Sequence, residues 1–386
     1  MSSQYITTYG DNPISPLWFG AKPDNEPTSA SGNTKAMQAA VHAVYNSGQT
    51  IKMPVAGKSR MYMGSLEEIK NNTEVAVVLE GTNPKNCRVK TVGTDEPIIH
   101  LGEKEKTTRY AQQDWRGFEM RGIGWETDET PTLIRNGWRY SESIVERNSM
   151  EGYERMLDES QWKPKCWGMR LLHNVITHCG TGVVSSDNRL WMYGNKMYWN
   201  DKHVEVRGGN SLHFQNDFGP SNVAHIHFVG GRSAANIVVM SYSENGYDRA
   251  NDPDASVPRY TPIRPSSLSD RHTDIQPAGF ILIEDMTVTG LTIIGTSPSL
   301  QNAEWAIKID NPDDKWTDID WIGGGVRKTS DPKGGYVYEF VNEPPSDDHN
   351  IIRHRGVYSS KGMWDDYSNY PDALIEKPIG FSRDSG

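Results

Sequence analysis

The sequence predicts an all-β solenoid, a stack of short strands reached through one helix. Three observations carry this. Residues 33–48 hold a single amphipathic stretch in which Met37, Ala40, Val41, Val44 and Tyr45 recur at helical spacing. Beyond it no second strongly periodic helix follows, only short β-rich segments punctuated by Gly, Asn and Asp. Finally, Asn174-Val175-Ile176-Thr177 recurs 21 residues later as Asn195-Lys196-Met197-Tyr198, a period in the range of one solenoid coil.

Residues 1–17 carry Pro13 and Pro16 with little apolar periodicity and read as an arm. In the helix Asn33 is placed to accept from the first free backbone N–H groups, and Gly48 ends it. Strands begin at Ile51-Lys52-Met53-Pro54-Val55-Ala56-Gly57. The stretch 107–164 is rich in charge and in tryptophan (Trp115, Trp125, Trp138, Trp162), breaks the coil pattern and reads as a loop insertion. Regular strands run from Cys166 to Tyr247, including His213, Ala224-His225-Ile226-His227-Phe228 and Asn236 to Met240. The proline-rich stretch 251–277 reads as a second long loop, and strands return at 280–283 and 286–294. The segment 311–386, with Gly323-Gly324-Gly325 and Pro344-Pro345, reads as a C-terminal cap or intersubunit segment, since a solenoid must cover its last coil.

Composition agrees with a solenoid. Hydrophobic residues make up 35% of the 386, and mean hydropathy is -0.67, low for a compact globule but sufficient for a thin apolar lumen. The formal net charge of -10 argues against general binding to nucleic acid or anionic membranes, which favour basic faces. Cys87, Cys166 and Cys179 are odd in number and fit no metal-ligand spacing, so they are expected as buried small apolar residues. No window is apolar enough for a membrane span, and the start Met1-Ser2-Ser3-Gln4-Tyr5 lacks the pattern of a signal peptide, so synthesis in a reducing cytoplasm is expected. No cofactor or metal is expected either, for want of a phosphate loop, a nucleophile elbow or a zinc motif.

The order Phe19-Gly20-Ala21-Lys22-Pro23-Asp24, then Asn33-Thr34-Lys35-Ala36-Met37-Gln38-Ala39-Ala40, then Ile51 to Gly57, resembles the N-terminal signature of the pectate-lyase-like right-handed parallel β-helix superfamily, of the bacteriophage tailspike and polysaccharide depolymerase type. Trp18 stands where those proteins carry an aspartate. The resemblance implies a single-stranded right-handed parallel β-helix over 18–310 with a short N-terminal capping helix. It also implies a homotrimer in the virion at the phage tail, a bacterial surface polysaccharide as partner, and contact with other tail proteins. The ordered polygalacturonase constellation of Asn-Thr-Asp, Asp-Asp and Gly-His-Gly is absent, so no catalytic residue is carried over from it.

The chemistry must therefore be read from the residues. Outward side chains on successive coils stack about 4.8 Å apart, which brings carboxylates toward the separations that glycosidases use. The regular zone offers Asp187, Asp201, Glu205, Asp217, Glu244 and Asp248 beside Trp191, Trp199, Tyr242 and Tyr247, and sugar C–H faces stack on such rings. The preferred catalytic pair is Asp217 with Glu244, each at a strand exit, with Asp248 as the substitute acid. Trp199, Asp201, His227, Tyr242 and Arg249 are nominated to bind substrate. Against this, Asp and Asn after strands are common turn residues that bond to their own backbone.

A lyase needs a base and a cation instead, for which His203, Arg207, His213, His225 and His227 are available; His225 and His227 alternate on one strand and share a face. Polysaccharide hydrolysis by a tailspike-like depolymerase, glycan binding without cleavage by a structural or receptor-binding virion protein, and polysaccharide elimination all stay open at this point.

Overall fold

The computed structural model describes residues 12–47, 49–67, 77–92, 97–101, 113–122, 132–136, 144–159, 169–186, 189–219, 221–245, 279–300, 305–312, 314–328, 336–341, 351–359 and 375–376. Every strand pairing among them is parallel, and each coil supplies up to three strands, one to each of three ladders. This is the architecture of the right-handed parallel β-helix anticipated above. The chain divides into two compact units, one reaching Gly180 and the next opening at Thr181.

At the N-terminal end, Ile14 bridges in parallel to Ile51, so part of the predicted arm joins the first coil. Ser15 accepts from the Leu17 N–H at the turn Pro16–Phe19, and Gly20 closes that turn at φ 94°, a left-handed conformation costly for any residue with a Cβ. Helix α1 (Ala30–Ser47) follows and buries Met37, Ala40, Val41 and Val44. Asn33 is not its cap: the helix starts three residues earlier, and the buried Asn33 amide bonds the Lys22 N–H (2.7 Å), the Lys22 carbonyl and the Tyr62 carbonyl (2.8 Å). It ties the incoming loop to the first coil. Gly48 lies outside the described residues.

In the first unit, one ladder stacks Ile51–Lys52, Val77–Glu80, Gln113–Arg116, Ile144–Glu146 and Arg170–Leu172. A second stacks Met61–Met63, Arg88–Thr91, Glu119–Arg121, Ser149–Glu151 and Val175–Thr177, and a third Ile99–Leu101, Ile134–Asn136 and Arg155–Asp158. Six of these strands fall inside 107–164, so the solenoid continues through that stretch instead of stopping for an insertion. The charge there sits on outward positions: Glu119 and Arg121 flank the buried Met120, and Trp115 is itself buried.

In the second unit the first ladder holds Thr181–Ser185, Asn200–Val206, residues 224–229, residues 279–284, Trp305–Asp310 and Tyr336–Phe340. Its core rows are in register, Val204 with Ile226, Ile281 and Ile307, and Val206 with Phe228, Ile283 and Ile309. Each such side chain contributes about 1.5–3 kcal/mol of burial. The second ladder holds Leu190–Tyr193, Ser211–Phe214, residues 236–239 and 291–294, Thr317–Lys328 by its first half, Ile351–Arg355 and Ile375–Glu376. The third holds Lys196–Tyr198, Asp217–Phe218, Tyr242–Asn245 and residues 297–300. The 21-residue period is observed as pairing, Thr181 with Lys202, Leu190 with Ser211 and Lys196 with Asp217. Strands continue to Ile375–Glu376, so the predicted C-terminal cap contains further coils.

The sharp turns repeat one device. A residue with positive φ (Gly194, Gln215) precedes a buried asparagine (Asn195, Asn216). Asn216 Oδ1 accepts from the Asn195 backbone N–H at 3.0 Å, and its amide donates to the Met192 carbonyl at 3.1 Å, so each coil satisfies the turn of its neighbour. The first unit uses the same device at Arg147-Asn148 and His173-Asn174. Cys87 and Cys179 are free and buried, as expected; Cys166 and 251–277 lie outside the described residues.

Candidate functional site

Of the preferred pair, Asp217 is partly exposed at the start of its third-ladder strand, where its carboxylate accepts from the Tyr198 hydroxyl. The Tyr198 ring lies so close over Gly219 that a Cβ there would sit 1.8 Å from it, and the partly buried Trp199 ring is tilted beside Tyr198 at 5.7 Å. Trp199 holds φ 53°, an uncommon conformation for a residue with a bulky side chain. Asp201 is the second residue of the next strand, Asn200–Val206, also partly buried. Glu244 lies on Tyr242–Asn245, whose Tyr242 and Ser243 are in register with Asp217 and Phe218, so the two acids sit on neighbouring strands of one ladder. Asp187, Tyr247, Asp248 and Arg249 lie outside the described residues.

The histidines nominated for a lyase base are largely withdrawn from solvent. His203, His213 and His225 are completely buried, with the His203 and His225 rings 4.8 Å apart beside Phe218. His203 meets the Gly219 carbonyl at 2.8 Å and the Asn200 amide at 3.0 Å. Burial pushes both His203 and His213 down to about 4, and only for His203 does the Gly219 bond oppose this. They are neutral core residues, unable to reach a substrate. The expected shared face of His225 and His227 does not give them a shared setting: His225 packs on the buried rings of His203, Phe218 and Phe280, while His227 meets acids.

His227 is the member of that group tied to the surface. Its side chain is 4% exposed, and Nε2 donates to Glu284 Oε2 at 2.8 Å while Nδ1 faces Glu205 Oε2 at 3.9 Å. The Glu205 side chain is buried too, 6% exposed, and binds Lys202 Nζ at 2.9 Å and Arg207 Nε at 2.6 Å. Burial would raise the Glu205 carboxyl, but the Lys202 ammonium and Arg207 guanidinium outweigh it and hold it below the usual carboxylate range. Glu284 is 49% exposed, and the His227 hydrogen bond keeps it low against its own partial burial. Sequence reasoning missed Glu284: a lone acid in Ile283-Glu284-Asp285 carries no local signal, and only the register, His227 with Leu282, brings it beside the histidine. Among the described residues no group of His, Cys, Asp and Glu could hold a metal ion.

No protein-family profile matches the chain, and no curated protein matches it in sequence. Solved structures do match. Tailspike protein 2 from Escherichia coli O157:H7 bacteriophage CAB120 is 10% identical at a TM-score of 0.55, over 90% of this chain and 43% of that one. The Acinetobacter baumannii phage AM24 tailspike protein is 12% identical with a TM-score of 0.53, over 95% and 56%. Tailspike protein 3 of bacteriophage CBA120 is 12% identical with a TM-score of 0.51, over 96% and 62%. At such identities the likeness defines the fold, a right-handed parallel β-helix, and the chain spans less than two thirds of each of these three proteins.

Proposed function

We propose that this chain is a phage tailspike-like protein that binds a bacterial surface polysaccharide and hydrolyses it. The observation that carries this is the partly exposed group of Asp217 and Tyr198 on the third ladder and Trp199 at the bend that follows, a carboxylate beside two aromatic rings, the combination that meets both the hydroxyls and the C–H faces of a sugar. The likeness in fold to three phage tailspike proteins supports a virion location at the tail. Asp217 and Glu244, on neighbouring strands, are the acids nominated by the sequence for the reaction. The test is release of reducing ends from a panel of bacterial capsular polysaccharides and lipopolysaccharides, read beside the ultraviolet band of unsaturated uronates. New ends without that band support hydrolysis, ends with it mean elimination, and binding without cleavage favours a receptor-binding protein.

Self-association into a homotrimer belongs to the same reading. Trp191, Tyr193, Ile237 and Ile294 point outward from the second ladder and stay exposed, in register-related rows that include the stacked Tyr193 and Phe214 rings. Exposed apolar patches of this kind mark contact surfaces. Sedimentation equilibrium should give the mass of three chains, and a mass of one chain rejects the trimer.

A further inference from the structure

The third ladder of the second unit sets Lys196 in register with Asp217 on the next coil. Met197 between Lys196 and Tyr198 is buried, so the lysine and the tyrosine leave one face of their strand, and Asp217 emerges on that face one coil further on. Elsewhere on the solenoid, charges facing each other in this way close into ion pairs. Examples are Lys52 with Glu80 at 2.7 Å, Arg88 with Glu119 at 3.2 Å, Arg121 with Glu151 at 3.3 Å and Lys308 with Glu339 at 3.2 Å. Coils lie about 4.8 Å apart, well within the reach of a lysine. Yet Lys196, which is exposed, makes no ion pair with any described residue, and Asp217 accepts from the Tyr198 hydroxyl instead.

An exposed lysine without a partner means little alone, since surface ion pairs contribute little. This one is set apart by its place. It holds the register position next to Asp217, on the face of the Tyr198 ring and the neighbouring Trp199 ring, and the acid that would neutralise it is engaged by a hydroxyl. Lys202 and Arg207, on the adjoining ladder, are taken by Glu205, which leaves Lys196 for a ligand.

We propose that Lys196 binds an anionic group on the sugar held at Asp217, Tyr198 and Trp199, so that the polysaccharide this chain takes is an acidic one. The inference rests on the glycan reading above and adds the charge of the substrate. The formal net charge of -10 repels an acidic polymer at long range, so its recognition has to come from a cation at the site itself. One ammonium matches one negative charge, and the facing Asp217 carboxylate repels a second. The group is therefore singly charged, the carboxylate of a uronic acid or a phosphodiester of the glycan backbone, and not a phosphate monoester.

The experiment measures binding of the whole chain, by affinity electrophoresis, to capsular polysaccharides with uronate-containing, phosphodiester-containing and neutral repeats. Wild type should bind one or more of the acidic polysaccharides, and Lys196→Met should bind the same ones roughly tenfold more weakly, the effect of losing one charge-assisted hydrogen bond. Lys196→Arg should keep most of the affinity. Urea midpoints of both variants should equal that of wild type, because the side chain is exposed and has no ion pair for unfolding to break. Reducing the carboxyl groups of the bound glycan to alcohols separates the two sources of charge. A carboxylate ligand then binds wild type and Lys196→Met alike, whereas a phosphodiester ligand keeps the tenfold difference. Equal affinity of wild type and Lys196→Met for every acidic polysaccharide bound, or binding confined to neutral repeats, overturns the inference while leaving glycan binding intact. A wild type that binds nothing in the panel overturns the glycan reading itself.

Discussion

Acidification should weaken the second unit through two of its buried histidines. His203 and His213 are completely buried, and burial lowers each from 6.5 to about 4. In the unfolded chain both take a proton first as pH falls, so stability is full above 6.5, declines between 6.5 and about 4, and is flat below. The whole shift corresponds to about 3 kcal/mol per histidine, and about 2 kcal/mol of it is already lost near pH 5. Two histidines together cost about 4 kcal/mol there, a large share of the roughly 5–15 kcal/mol that holds a domain.

Hydrogen exchange of peptides covering 200–219, followed through urea titrations at about pH 7.5 and 5, reads this directly. His213→Met is the informative variant, because the hydroxyl of Ser211 still donates to Asn236 when the imidazole is gone. It should lose about half of the wild-type pH sensitivity. Equal sensitivity in wild type and variant, or a wild-type loss near zero, would refute the argument that these imidazoles are buried neutral.

Three further outcomes are expected. Asn216→Ala removes the acceptor of the Asn195 N–H and the donor to Met192 in a buried turn, and should lower stability by about 2–6 kcal/mol in urea unfolding, at about 1–3 kcal/mol for each orphaned group. Gly279→Ala would put a Cβ 1.9 Å from the Trp305 ring; it should destabilise by about 1–3 kcal/mol and alter tryptophan fluorescence. Trp191→Glu, on an exposed outward position, should leave chemical unfolding unchanged per chain yet reduce the sedimenting mass of any assembly built on the second ladder.

The fold was legible because a solenoid repeats its constraints. The 21-residue recurrence is the pairing register itself, and the asparagine in each copy is the turn residue that the neighbouring coil needs. Where coils lengthen, the signal fades: Asp217 pairs with Tyr242 after 25 residues and Ala224 with Gly279 after 55, so spacing alone could not align them. The stretch 107–164 misled for another reason, since its outward arginines and glutamates hid buried Met120, Val145 and Met150 between them. Asn33 misled because a cap-forming side chain four residues into a helix can serve tertiary contacts instead. At the site, Glu205 and His227 were visible as residue types, but their union with Glu284 depends on a pairing across 57 residues.

The Glu205 cluster adds a second acid transition that can be told apart from the first. A depressed carboxylate acts oppositely in pH range to a depressed histidine: its contribution is complete above the ordinary 4.5 and disappears as pH falls through its lower folded value. Lys202 and Arg207 both depend on that negative charge, so Glu205→Gln should leave stability between 6.5 and about 5 on the wild-type slope and flatten the curve below 4.5. His213→Met should do the converse. Urea midpoints of the two variants across this range therefore separate the core from the surface cluster. If Glu205→Gln instead changed the slope above 5, the network around His227 would be titrating as one unit with the core histidines, and the assignment of each window to its own group would fail.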